Sequence, residues 1–214
     1  MNRRQLLAGA AALATGTVVP HAISASERAF RRFVVLRDGK DIGFHELSAS
    51  LNNGRFEIEI TIDLRVRFLG ITAYRYELLN REVWRDGRII SVNSRVNDDG
   101  NKEFCQIENT GDMLQVTGSR YTGTAPVDAV TTSYYSTAFL ERRPWISTQS
   151  GNALDVQIAA GAPGTWNVSG ELETQLLYDE RGEWLGSNFD AGGEPGTYQL
   201  EAETGQIAAL WAEA

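Results

Sequence analysis

Arg55-Phe56-Glu57-Ile58-Glu59-Ile60-Thr61-Ile62-Asp63-Leu64-Arg65-Val66-Arg67-Phe68 sets an apolar residue at every second position without a break. A helix would scatter those side chains around its circumference; an extended strand puts all of them on one face. The pattern is that of an antiparallel strand with one face in a core and one in water. Burial of each large side chain is worth about 1.5–3 kcal/mol, and a one-residue register slip would expose the whole set. A strand of this length reaches roughly 45 Å, well past the usual strand, so its sheet must twist and coil.

Outward from this stretch the pattern repeats. Residues 32–36 and 42–51 flank Arg37-Asp38-Gly39-Lys40, and Asn52-Asn53-Gly54 leads into the long strand. Gly70 breaks the run before 74–84, Asp86-Gly87 turns into 89–96, Asp99-Gly100 into 103–108, and Gly111-Asp112 precedes 113–117. Asn-Gly and Asp-Gly are strong hairpin signals, so these segments predict an antiparallel meander. Residues 118–130, rich in Gly, Thr and Pro, read as a loop. Residues 132–140 predict a short helix with Ser133 as N-cap and Tyr135, Ala138 and Phe139 on one face, closed by Pro144. Strand patterns resume at 154–158, 171–178 and 184–189, and 198–202 is a final strand. Ile207, Leu210 and Trp211 suit a terminal cap. The expected fold is mainly β: one strongly coiled antiparallel sheet, as a meander, half-barrel or open barrel, with one short helix. Its apolar face wraps either the chain's own middle region or a ligand.

The N-terminus, Met1-Asn2-Arg3-Arg4-Gln5-Leu6-Leu7, runs through a modestly apolar stretch to Ala22-Ile23-Ser24-Ala25. That is the layout of a cleavable export signal, and the Arg3-Arg4 pair ahead of two leucines is the twin-arginine form. Residues 1–25 are therefore expected to be a leader recognised by the twin-arginine translocase, and 26–214 one periplasmic domain without an integral membrane segment. Removing Arg3 and Arg4 takes the net charge from −8 to −10. Such acidity argues against nucleic acid and against anionic membrane surfaces as partners.

Catalytic chemistry has little to work with. Cys105 is the one cysteine, so no intramolecular disulfide forms, and its place in Phe104-Cys105-Gln106-Ile107 suits a small buried hydrophobe. His45 is the one histidine after the leader; alternation sets it opposite Ile42 and Phe44, on the solvent side. Asn97-Asp98-Asp99-Gly100-Asn101 lacks the closing glutamate of a calcium loop and reads as a turn. No catalytic residue, metal ligand or cofactor is assigned. The aromatics are the enrichment that points to a ligand: Tyr74, Tyr76, Trp84, Tyr134, Tyr135 and Trp145 combine apolar bodies with polar tips, suited to an amphipathic molecule or to a plain β core.

Four strings, Trp84-Arg85-Asp86-Gly87-Arg88-Ile89, Ser94-Arg95-Val96-Asn97-Asp98-Asp99-Gly100, Thr132-Ser133-Tyr134-Tyr135 and Tyr178-Asp179-Glu180-Arg181-Gly182-Glu183-Trp184, resemble in this order a domain-of-unknown-function family of exported, mostly alphaproteobacterial proteins. The resemblance covers most of the mature chain and carries no activity or catalytic residue. It implies a distant fold-level similarity to periplasmic half-barrels of the lipoprotein-carrier type. Residues 168–177 are shorter than the family pattern by about one strand, which leaves the pairing of the C-terminal strands open. Three functions follow: non-enzymatic binding of an apolar or amphipathic small molecule, a structural or interaction module with a self-filled core, or a carboxylate-based hydrolase. The poverty of catalytic groups favours the first.

Overall fold

The computed structural model describes residues 27–214; the leader with Arg3 and Arg4 lies outside the described residues. Eight strands follow one another as an antiparallel meander: β1 (Glu27–Arg37), β2 (Lys40–Asn52), β3 (Arg55–Phe68), β4 (Ile71–Arg85), β5 (Arg88–Asp98), β6 (Asn101–Asn109), β7 (Met113–Gly118) and β8 (Thr122–Pro126). The turns Asp38-Gly39, Asn53-Gly54, Asp86-Gly87 and Asp99-Gly100 have both residues at positive φ. Asn, Asp and Gly tolerate that geometry, whose twist matches the flanking strands.

After β8 the chain leaves the sheet. It forms β9 (Val130–Thr131), a 3-10 helix (Thr137–Glu141), β10 (Trp145–Ile146) and β11 (Ala153–Leu154), with β9, β10 and β11 in a separate small sheet. It then returns as β12 (Val156–Ala160), β13 (Thr165–Gly170), β14 (Thr174–Tyr178), β15 (Trp184–Asp190) and β16 (Pro195–Thr204). β16 pairs with β1, which completes a 13-stranded sheet in the order β12-β13-β14-β15-β16-β1-β2-β3-β4-β5-β6-β7-β8. Inward residues from both ends of this sheet, Leu114 and Val116 on β7 and Val156 and Val168 on β12 and β13, join one core with Phe33, Ile58 and Trp84. A sheet can bring its two ends to one core only by curling, as the strand lengths require.

The excursion between β8 and β12 fills part of the curl. Val130, Tyr135, Phe139, Trp145 and Ile146 are all buried. Helix α1 (Ile207–Ala212) plugs the interior with Ile207, Leu210 and Trp211, as the sequence predicts for a terminal cap. Its free backbone N–H groups need acceptors. Buried Glu183 supplies them, accepting from Ile207, Ala208 and Ala209 at 3.1, 2.8 and 3.3 Å, with Arg31 3.4 Å away as counter-charge.

Several expectations need correction. Residues 122–126 are edge strand β8, not loop; Ala125 is its one buried side chain, too weak a signal beside Gly123 and Pro126. The helix expected over 132–140 is a single 3-10 turn capped by Ser136, not Ser133. Tyr134 sits at φ +31 and Ser136 is extended, so helical geometry cannot begin earlier. Strand β13 was not legible, because Val168 is its one well-buried residue. It pairs with β12 and β14 in continuous antiparallel register, so the short 168–177 stretch still gives an ordered C-terminal half.

Candidate ligand-binding cavity

Register divides the interior into two levels. Along β3 the inward residues run Val66, Leu64, Ile62, Ile60, Ile58, Phe56, and across from them on β4 run Tyr74, Tyr76, Leu78, Asn80, Glu82, Trp84. The first four of each row line a cavity of about 750 Å³. The last two lie in solid core, where Trp84 packs against Phe139 and Trp211 at 5.5 and 5.8 Å between ring centroids. The 3-10 turn and α1 fill that half, while the rest of the excursion borders the other half through Tyr134, Thr148, Gln149 and Leu154 without filling it. Ile60 to Val66 spans six residues, so the cavity is roughly 20 Å long. Its volume is that of a small-molecule site.

The walls are mostly apolar, and two buried side chains in them keep polar atoms unmatched among the described residues. His45 is 5 % exposed and lines the cavity among Trp184, Tyr198 and Phe33, at 5.2, 5.4 and 6.2 Å between centroids. Among the described residues neither ring nitrogen has a hydrogen-bond partner. Burial pushes its pKa from 6.5 down to about 3, so the imidazole is neutral in ordinary conditions and offers one donor and one acceptor. Asn80, 1 % exposed, donates from Nδ2 to Glu82 at 2.8 Å but leaves Oδ1 unmatched. Buried polar atoms are normally satisfied, so such exceptions call for an explanation.

His45 overturns the solvent-facing expectation: it faces Ile62 in the same alternation that sets Leu47 on Ile60 and Ala49 on Ile58, and a bulge puts Ile42 out of that phase. β1 pairs Val35 with Gly43 and then Leu36 with Asp41, which leaves Ile42 as an extra residue on β2. The extra residue shifts the alternation by one, so Ile42 and His45 both line the cavity while Phe44 turns out beneath Arg32. The sequence carries the trace of this in the period-two row His45, Leu47, Ala49, Leu51, which competes with the phase of Ile42 and Phe44.

Of the aromatics singled out from the sequence, the structure brings Tyr74, Tyr76 and Tyr134 to the cavity. Tyr76 donates to Gln149 at 3.3 Å, and Tyr74 donates to Asp98 at 2.8 Å from the rim. Burial raises the Tyr134 hydroxyl to about 12, and its strained φ is held where Tyr178 donates to its carbonyl at 2.7 Å. Trp84, Tyr135 and Trp145 lie elsewhere. Tyr135 faces away from its neighbour into Phe56 and Phe139, at 5.7 and 4.8 Å. Trp145 stacks behind Tyr134 at 6.1 Å and donates to the Phe139 carbonyl at 3.0 Å. These three are core because the plug occupies their level. Asn80, Ser133 and Tyr198 line the cavity without having been foreseen.

The buried acids serve structure. Glu82, with no exposed surface, accepts from Ser133 at 2.5 Å, Asn80 at 2.8 Å and Trp84 at 2.9 Å, tying the plug to β4. Cys105 is fully buried and its thiol is pushed up to about 12 by burial, the behaviour of an inert small hydrophobe. Asp99 and Gly100 form the β5–β6 turn, with Gly100 donating to the Asn97 side chain at 3.1 Å.

The model of a domain-of-unknown-function family, DUF6134, matches residues 33–201. The chain belongs to DUF6134. The matched stretch holds the cavity lining from Arg37 to Tyr198 and stops short of α1. No curated protein matches this DUF6134 chain significantly. Among solved structures it is similar to the beta-barrel-like protein of domain of unknown function DUF1849 from Brucella abortus, with 8 % identity and a TM-score of 0.50. That match covers 84 % of this chain and 97 % of the other, which makes the likeness one of fold. None of the described helices is long and apolar enough to cross a membrane.

Proposed function

We propose that the protein binds an elongated amphipathic small molecule in this cavity, without catalysis, in the bacterial periplasm. The observation that carries the reading is the pair of unmatched buried groups, the His45 ring and the Asn80 carbonyl oxygen, in an apolar-walled space. A ligand with uncharged polar groups that include a donor, such as hydroxyls or an amide, would give both groups partners and bury its apolar length along Ile60, Ile62 and Leu64. An ionised end would find no buried counter-charge, since the one cationic residue of the lining is Arg37, at the end of β1. The leader read from Arg3 and Arg4 supports the compartment, and twin-arginine substrates cross folded.

The test is native mass spectrometry of the protein purified gently from its own periplasm, with organic extraction of any adduct. The expected result is a reproducible adduct that extracts as an amphipathic molecule and is lost in a His45→Phe variant. That variant should melt no lower than wild type. Removing an unmatched buried polar group is worth about 1 kcal/mol in favour of the apo fold. A clean apo mass, with no uptake of fluorescent fatty acids, would sink the reading and leave a structural module whose cavity is unused.

A further inference from the structure

The β3–β4 hairpin departs from the other hairpins of the meander in three ways. It outreaches its neighbours: the ladder with β2 ends at Gly43–Leu64 and that with β5 at Tyr76–Asp98, so the rungs Val66–Tyr74, Arg67–Thr72 and Phe68–Ile71 pair only with each other. Its turn holds Leu69 where four others hold Asp or Asn, although Leu69 lies at φ +50, a region leucine adopts only at a cost. And its apolar residues face water: Phe68, Leu69 and Ile71 are 70, 86 and 73 % exposed. A turn shaped for stability and solubility would avoid all three.

The charge of the hairpin is also out of keeping with the chain. Residues 65–75 contain Arg65, Arg67 and Arg75 and no acid, while the whole sequence carries −8. Arg65 is bridged to Asp63 at 2.8 Å and Arg75 to Glu77 at 2.5 Å, and Arg67 has no ion pair among the described residues. An apolar tip collared by arginines is complementary to an anionic lipid interface, where apolar side chains enter the headgroup boundary and guanidinium groups meet phosphates.

We propose that this hairpin is a membrane-docking finger that inserts Phe68, Leu69 and Ile71 into an anionic bilayer surface. The acidic remainder of the protein is repelled from that surface, which confines contact to the tip and orients the molecule. Val66 and Tyr74, the second rung below the Phe68–Ile71 tip, line the cavity, so docking sets the cavity's rim against the bilayer. The docking itself stands whether or not the cavity holds a ligand. It also narrows the expectation that acidity excludes anionic membranes: the exclusion holds for the body and not for the tip.

The experiment is flotation of the mature protein with vesicles of phosphatidylglycerol and phosphatidylethanolamine, against vesicles of phosphatidylcholine alone. Wild type should float with the anionic vesicles, and a Phe68→Ser, Leu69→Asn, Ile71→Ser variant should bind at least about tenfold more weakly. Asn suits the turn, so that variant should fold and melt as wild type does. In a second measurement, an environment-sensitive dye on Phe68→Cys, with Cys105 buried, should shift to the blue when anionic vesicles are added. Failure of wild type to float, equal binding by the triple variant, or an unmoved dye spectrum each overturns the proposal. So does a dimer that the triple substitution splits while wild type ignores vesicles, which would make the tip an interface between copies.

Discussion

A Gly43→Ala variant is expected to lose at least about 3 kcal/mol of folding stability, read as a lowered urea midpoint with an unchanged slope. Gly43 lies at φ +138, and a Cβ there would stand 1.9 Å from the Asp63 carbonyl oxygen and 3.0 Å from the Leu64 Cα. Both are backbone atoms of the paired strand, so neither can swing aside as a side chain would. Relief requires β2 to part from β3 or the bulge to move, and moving it takes Ile42 off the cavity wall. Gly70→Ala is the control. Its φ of +82 is also unfavourable for alanine, but its Cβ would meet nothing within 4 Å, so the loss should stay near 1 kcal/mol. If the two substitutions prove equally mild, the bulge at Gly43 is not the device that turns the strand.

Stability should also fall on acidification through His45. The ring's folded pKa of about 3 lies below its ordinary 6.5, because burial without a partner penalises the imidazolium. Between those values the unfolded chain binds a proton that the folded chain refuses. Stability is therefore full above about pH 6.5 and drops as pH falls, with a slope approaching about 1.4 kcal/mol per pH unit within the window. Glu183 works in the opposite sense: burial raises its pKa, so the folded state takes up its proton first as pH falls. The difference between wild type and His45→Phe isolates the histidine, since every other group is common to both. Urea titrations from pH 7 to pH 4 should show a shallower decline in the variant. Parallel curves would mean that the ring is solvated or paired in solution.

The two results bear on one wall of the cavity, where the bulge adds Ile42 to the row that His45 begins. The meander was legible from the sequence because its causes are local. Period-two alternation in residues 55–68 and Asp-Gly or Asn-Gly at the turns state strand, face and hairpin within a few residues of one another. The C-terminal cap was legible for the same reason, Ile207, Leu210 and Trp211 falling on one side of a short helix. Tyr74 and Tyr76 share the face of Leu78 by simple alternation, and the structure places them together in the cavity wall.

What escaped the sequence depends on contacts between distant segments. The bulge at Ile42 shows only in the pairing with β1, yet it brings Ile42 to the same face as His45, Leu47 and Ala49, against the alternation that set Ile42 opposite His45. Tyr134 and Tyr135 are adjacent and chemically alike, and only the plug's path sends one to the cavity and the other to the core. Whether the coiled sheet would be filled by its own chain or leave room for a guest was undecidable from periodicity, which reports faces and not volumes. The answer is both, divided along the strands: Trp84, Phe139 and Trp211 fill one level, and the cavity occupies the other. Sequence alone thus determined the coiled antiparallel sheet, because hydrophobic alternation and turn chemistry act over a few residues. The tertiary structure alone decided the cavity, because an unfilled space exists only where elements far apart in the chain fail to meet.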